Sequence, residues 1–293
     1  MTTPAPHAPH TSSPSDAHND SGCCSNCGDD HAHQGPTGAE IVQRLGTGFA
    51  VLALVTPLLA IVLVLIGLTN TPLSFMPPVV GLALGGVQLF IAVGISVLAG
   101  RIHLKRHGNR DGTQRSISVV GHPAGTAVRS VLEELARLGA VSLVLVLHPV
   151  LNRAATGLWI GIGASVVWAV LATAQFVSAR RRIQTPSEWS RETVQTVLDQ
   201  GGRVGRVMGM RVIDLIGVFA FQIGASLLIA GGWVMVVATA VLSMATGLSI
   251  LIMQQRSPAD RPRSIWAFAP VGIGVFTVVL AIIFVLLPLS VTG

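Results

Sequence analysis

The stretch SGCCSNCGDDHAH, residues 21–33, holds all three cysteines of the chain and two of its nine histidines. Cys24 and Cys27 form a C-x2-C pair, Cys23 adjoins it, and His31 and His33 follow within six residues. Thiolate and neutral imidazole are the donors that tetrahedral Zn(II) takes, and thiolates also suit Cu(I). The two pairs could therefore place four donors on one ion. Only three residues separate the pairs, whereas structural zinc modules interpose a dozen or more, so a complex here would be a compact knot and not a folded domain. Asp29 and Asp30 add attraction for cations without selecting one. The plain alternative is a polar tail whose Cys and His are incidental. An odd cysteine count rules out a closed disulfide set within one chain.

The first 40 residues that carry this cluster are rich in Pro, Ser, His, Asp, Gly and Ala, with five carboxylates and no Lys or Arg. Such a segment has too little apolar surface to offset its ordering entropy, and we expect residues 1–40 to form a disordered tail. MTTPAPHAPH has neither the basic nor the apolar region of a signal peptide. Residues 41–293 read differently. The chain as a whole is 51% hydrophobic and only 11% charged, with a mean hydropathy of +0.66. A soluble surface carries roughly a quarter of its residues charged, so a bilayer is the expected solvent.

Apolar runs near 46–69, 78–100, 136–152, 156–178, 212–230, 233–253 and 266–288 predict an all-α polytopic protein with seven spans. The third is short, bounded by Arg137 and Arg153. With seven spans, eighteen of the 19 basic residues fall on one side and Arg153 alone on the other. The positive-inside bias then sets the N-terminus in the cytoplasm and the C-terminus outside, in the cytoplasmic membrane. The same placement keeps the tail thiols reduced and makes chelation of Zn or Cu the better expectation than a disulfide. A pI near 10.8 could suggest nucleic acid, but these charges lie between apolar runs, and no nucleic-acid partner is expected. The loop 101–123, with Arg101, Lys105, Arg106, Arg110 and Arg115, suits anionic lipid headgroups.

A repeat is also legible. AVRSVLEELARLGAV (127–141) aligns with TVQTVLDQGGRVGRV (193–207), matching Glu133 to Asp199 and Arg137 to Arg203, and EIVQRLG (40–46) echoes EELARLG. In the first segment Val128, Val131, Leu132, Leu135 and Leu138 share one helical face. Each segment reads as an amphipathic helix at the inner interface leading into a two-span hairpin.

Inside the spans, polar side chains are sparse. Asp214 is the one carboxylate, with Arg211 three residues earlier as its expected ion-pair partner and Gln222 two turns along. Gln88 and Gln175 complete a candidate intramembrane polar site. Gly81, Gly85, Gly157, Gly161 and Gly163 read as packing surfaces between spans two and four or their neighbours. Trp159, Trp233 and Trp266 read as interfacial anchors. No nucleophile elbow, zincin helix, phosphate loop or carboxylate pair within one span is present, and no enzyme is expected. Three functional classes follow: a transporter or channel for a small solute, a regulatory or scaffolding membrane protein with a metal- or partner-binding tail, and, least supported, a membrane enzyme, which would need polar side chains from several spans on one level.

Overall fold

A computed structural model of the chain describes residues 37–71, 74–106, 123–149, 152–199, 203–255 and 264–286. Among them are eight α-helices and no strand: α1 (Gly38–Asn70), α2 (Met76–Arg106), α3 (Pro123–Leu147), α4 (Arg153–Gln184), α5 (Glu188–Asp199), α6 (Val204–Gly231), α7 (Met235–Gln255) and α8 (Ala269–Leu286). Their starts carry local signals. Thr37 caps α1 by accepting from the Glu40 N–H at 3.4 Å, and Glu40 in turn takes Arg44 at 2.5 Å. Asn152 caps α4, accepting from the Ala154 and Ala155 N–H groups. Pro77 and Pro78 in α2, Pro123 in α3 and Pro270 in α8 fall in first turns, where a missing N–H costs nothing. Five helices, α1, α2, α4, α6 and α7, are long and apolar enough to cross a membrane; α8 is apolar but shorter.

Contacts fix how the helices run. Gly46 lies beside Ile183 and Gln184 while Gly67 lies against Trp159 and Ile162, so α1 and α4 are antiparallel. Gly81 meets Ile160 and Gly85 meets Val167, so α2 and α4 run together; Gly157 meets Ser226 and Gly161 meets Ile223, so α4 and α6 oppose. Gly217, Gly224 and Gly231 meet Val271, Val278 and Phe284 in turn, and α6 and α8 are parallel. Val141 and Val144 of α3 cluster with Leu84 and Ile229, and Thr126 touches Gly247. The seven long helices thus alternate in direction along the chain.

Glycine sets the architecture. A Cβ on Gly81 would strike the Ile160 carbonyl oxygen, one on Gly161 would come within 2.6 Å of Ile223 Cα, and one on Gly274 would strike the Gly217 oxygen. Backbones in contact at these crossings join α2, α4, α6 and α8 into a row, as the small-residue spacing suggested for α2 and α4. α1 packs on one side of α4 through Trp159, Ile162 and Ala169, and α3 on the opposite side through Ile160 and Ala164. α5 closes one end of the bundle, its Val194 and Val197 packing with Ile41, Leu45, Ile183 and Val204.

Three expectations change. The third span was placed at 136–152 with Arg137 at its edge; the helix runs Pro123–Leu147 and Arg137 lies deep inside it, 1% exposed. Its charges are paired within the helix, Arg129 with Glu133 at 2.6 Å and Arg137 with Glu134, which offsets part of the cost of burying a segment that reads as an interfacial amphipathic helix. The separate amphipathic helices expected before spans one and three are continuous with α1 and α3; only α5 stands alone. Trp159 is buried against Gly67 at 3% exposure and is no interfacial anchor, whereas Trp233 and Trp266 are exposed.

Candidate functional site

Residues Ser130, Glu134, Arg137, Val141 and Val144 form the buried stripe of α3. The steps of three and four residues put them on one face, turned into the bundle, while Val128, Val131, Leu132 and Leu135 on the opposite face are exposed. This polar stripe builds the first site. Arg137 donates through Nη1 to both oxygens of Glu134, at 2.5 Å to Oε2, and through Nη2 to Gln222 Oε1 of α6 at 2.6 Å. The Phe221 ring lies 5.5 Å from the guanidinium, within cation–π range. Glu134 and Arg137 are each 1% exposed and Gln222 is 5% exposed.

α2 carries a second buried amide. Leu84 of α2 and Val141 of α3 belong to one apolar cluster. Gln88 lies one helical turn beyond Leu84, and Arg137 one turn before Val141. Gln88 is fully buried and its Oε1 accepts from Trp168 Nε1 of α4 at 3.4 Å. Two buried donors here have no acceptor among the described residues: Gln88 Nε2 and Arg137 Nε. The apolar cluster of Leu84, Val141, Val144, Ile160, Ala164, Ile229 and Ala230 covers this level on the side away from α5.

No Asp, Glu, Lys, Arg or His occurs in α1 beyond Arg44, in α2 before Arg101, in 154–179 of α4, in α6 beyond Asp214, or in α7 and α8. In the half of the bundle away from α5, every ionisable side chain on a helix therefore comes from α3, save Arg153 at the start of α4.

The second site is a cleft of about 590 Å³ at the α5 end, lined by Phe49, Trp189, Trp266, Met210 and Met253 and by the charged Glu192, Arg206, Arg211 and Asp214. Its volume falls in the range of small-molecule sites, and charges of both signs against aromatic walls suit a ligand with a polar end and an apolar body.

The four polar residues singled out in the sequence thus separate. Gln222 joins the Arg137 centre, Gln88 accepts from Trp168 of α4, Asp214 lines the cleft, and Gln175 is exposed on α4. Asp214 forms no ion pair with Arg211; the described pairs are Arg44–Glu40, Arg129–Glu133 and Arg137–Glu134. Glu134 and Arg137 are the functional residues that sequence reasoning missed. Their signal was available: two opposite charges three residues apart, in phase with valines at 141 and 144. Cys23, Cys24, Cys27, His31 and His33 lie outside the described residues, as do residues 107–122 of the basic loop. Among the described residues no three His, Cys, Asp or Glu side chains gather as a metal ion would require. No family model matches the chain, and no curated protein and no solved structure is similar to it.

Proposed function

We propose that the chain is a transporter or channel for a small solute, crossing the cytoplasmic membrane seven times with its N-terminus in the cytoplasm. The alternation of seven helices supports the count. With Arg137 moved from loop to interior, seventeen basic residues still face Arg153 alone across the bilayer, which supports the orientation. The observation that carries transport is the buried Glu134–Arg137–Gln222 centre, in a part of the bundle otherwise nearly free of charge. Apolar residues of similar size commonly stabilise as well as a buried pair or better, so stability gives little reason to keep one. Ionisable groups at such depth commonly mark a path for solute or ion. The cleft serves as the cytoplasmic vestibule: Asp214 on its wall is eight residues from Gln222 on the same helix, about 12 Å along the axis.

Water access tests this reading. In a chain with Cys23, Cys24 and Cys27 replaced by Ser, a Phe221→Cys side chain beside Arg137 is expected to react with a membrane-impermeant thiosulfonate applied from the cytoplasmic side. A side chain at 221 that stays unreactive while Asp214→Cys is labelled would refute a pathway.

One observation favours the second reading, a regulatory or scaffolding membrane protein: Gln88, Gln175, Asp214 and Gln222 do not share a cavity, and Gln175 is exposed. On either reading the tail is proposed to chelate Zn or Cu through Cys23, Cys24, Cys27, His31 and His33, and the basic loop to meet anionic headgroups. Zn(II) titration of the full chain against its Cys23→Ser, Cys24→Ser, Cys27→Ser variant measures the tail's share; equal stoichiometry in both removes it.

A further inference from the structure

Two helical stripes build the cleft at the α5 end. Trp189, Glu192, Thr193 and Thr196 share one face of α5, and Arg206, Met210 and Asp214 recur at steps of four along α6, with Arg211 beside them. The stripes differ in hydrogen-bonding character. Thr193 and Thr196 donate their hydroxyl hydrogens to the Trp189 and Glu192 carbonyls at 2.7 and 2.8 Å, so lone pairs are what each has left. With the Glu192 carboxylate they make an accepting wall. Arg206 and Arg211 on α6 are donors only. None of Glu192, Arg206, Arg211 and Asp214 belongs to the ion pairs among the described residues.

Four unpaired charges, two of each sign, thus line one cavity with a net of zero. An anion would face Glu192 and Asp214, and a cation would face Arg206 and Arg211; a zwitterion meets opposite charge at both ends. The accepting wall calls for N–H donors, which a primary ammonium has and a quaternary one lacks. The guanidinium groups call for an oxyanion, and their planar fork matches phosphate. Phe49, Ile250 and Met253 add apolar surface, and a cavity of about 590 Å³ is of the size that takes a whole amphiphile. Ile250 is exposed on α7, and Ile265 and Phe268 on either side of Trp266 are exposed as well. The cleft therefore continues onto apolar surface that a bilayer covers, and its natural supply is lipid. Trp189 and Trp266 line it at 38% and 42% exposure, the half-wet setting that indoles favour at a membrane–water boundary.

We propose that the cleft is a specific site for a zwitterionic phospholipid with a primary ammonium, the chemistry of phosphatidylethanolamine. The phosphate sits on Arg206 and Arg211, the ammonium on Glu192, Thr193 and Thr196, and the upper acyl carbons on Phe49, Ile250 and Met253. This selection runs against what a basic membrane face draws by charge alone, which is anionic lipid. The site goes beyond the transport reading and takes from it only the leaflet, the cytoplasmic one. A headgroup seated there forms part of the wall of the proposed vestibule.

The test offers the purified full chain, in detergent, equal amounts of phosphatidylethanolamine, phosphatidylcholine and phosphatidylglycerol, and counts retained lipid by native mass spectrometry. Phosphatidylethanolamine is expected to be favoured about tenfold over either competitor, the size of one lost charge-assisted contact. Thr193→Val with Thr196→Val keeps the shape of the wall and is expected to close most of the gap to phosphatidylcholine. Glu192→Gln is expected to close most of the gap to phosphatidylglycerol. Arg206→Gln with Arg211→Gln is expected to weaken retention of all three about tenfold. Equal retention of the three lipids, a preference for phosphatidylglycerol, or variants that leave the ranking unchanged overturns the proposal. Displacement of the lipid by O-phosphoethanolamine at the same concentration also overturns it, since the occupant is then a free solute. The Phe221→Cys labelling separates the two levels of inference. A lost ranking with labelling intact overturns the lipid site alone; a ranking that holds without labelling supports the site and overturns the pathway alone.

Discussion

Residues 127–141 and 193–207 share a pattern of valine, leucine, acid, arginine and glycine, yet they end in opposite environments. The first lies within one continuous helix, α3, whose arginine, Arg137, is sealed against α6 with Glu134 beside it. The second is divided: α5 stops at Asp199 on the bundle's end, α6 begins at Val204, and Arg203 is exposed at the junction. The sequences diverge where Glu134-Leu135-Ala136 faces Gln200-Gly201-Gly202. Three good helix formers carry α3 through, while paired glycines remove about 1 kcal/mol of helix propensity each. One helix is thereby held in register long enough to bring its polar face against a partner, and the other peels off to cap the end. A shared amphipathic pattern does not decide whether its polar side meets water or protein; the continuity of the backbone does.

The largest test of this contrast is removal of the buried cation. Arg137→Leu strands Glu134 and is expected to destabilise the chain by about 3–5 kcal/mol, read by chemical unfolding in mixed micelles. Combining it with Glu134→Leu should recover most of that loss, and a double variant no better than the single would mean that packing, not charge, holds α3. Next, Gln222→Leu deprives Arg137 Nη2 of its acceptor, with an expected cost of about 1.5–3 kcal/mol by the same measurement. Smaller still, Gly201→Ala with Gly202→Ala should draw α5 toward the α3 arrangement by about 1 kcal/mol per residue. Spin labels at Gln195 and Val207 would then move toward about 18 Å, the spacing of one continuous helix. At the foot of the scale, Arg203→Leu is the matched control for Arg137→Leu and should change stability by less than about 0.5 kcal/mol. Equal losses at 137 and 203 would erase the contrast.

Most of the helices were legible because a bilayer demands long apolar runs: α1, α2, α4 and α6 contain the runs read from sequence with extra turns at their ends, and α7 starts two residues after its run. Those turns were missed because helix does not stop where hydropathy falls: Arg180–Gln184 of α4 remain helical, with Ile183 buried in the cluster that α5 joins. The apolar face of α3 was read in part: Val128, Val131, Leu132 and Leu135 are exposed together, while Leu138 packs against the buried cluster. The opposite face was assigned to water, because a run with four charges fails any hydropathy threshold, although they pair within the helix and Arg137 gains Gln222 of α6. The candidate site was half legible for the same reason. Gln88 and Gln222 stood out as isolated polar residues in apolar runs, whereas Glu134 and Arg137 were hidden among the charges of a segment taken for an interfacial amphipathic helix.

Glycine at the crossings has one mechanical consequence. With backbones touching at the glycine crossings from α2 through α4 and α6 to α8, these four helices have little room to slide past one another. Any stroke that opens a route across this molecule must then be carried by the flanks, α1 with α5 on one side and α3 with α7 on the other, hinging against a fixed wall.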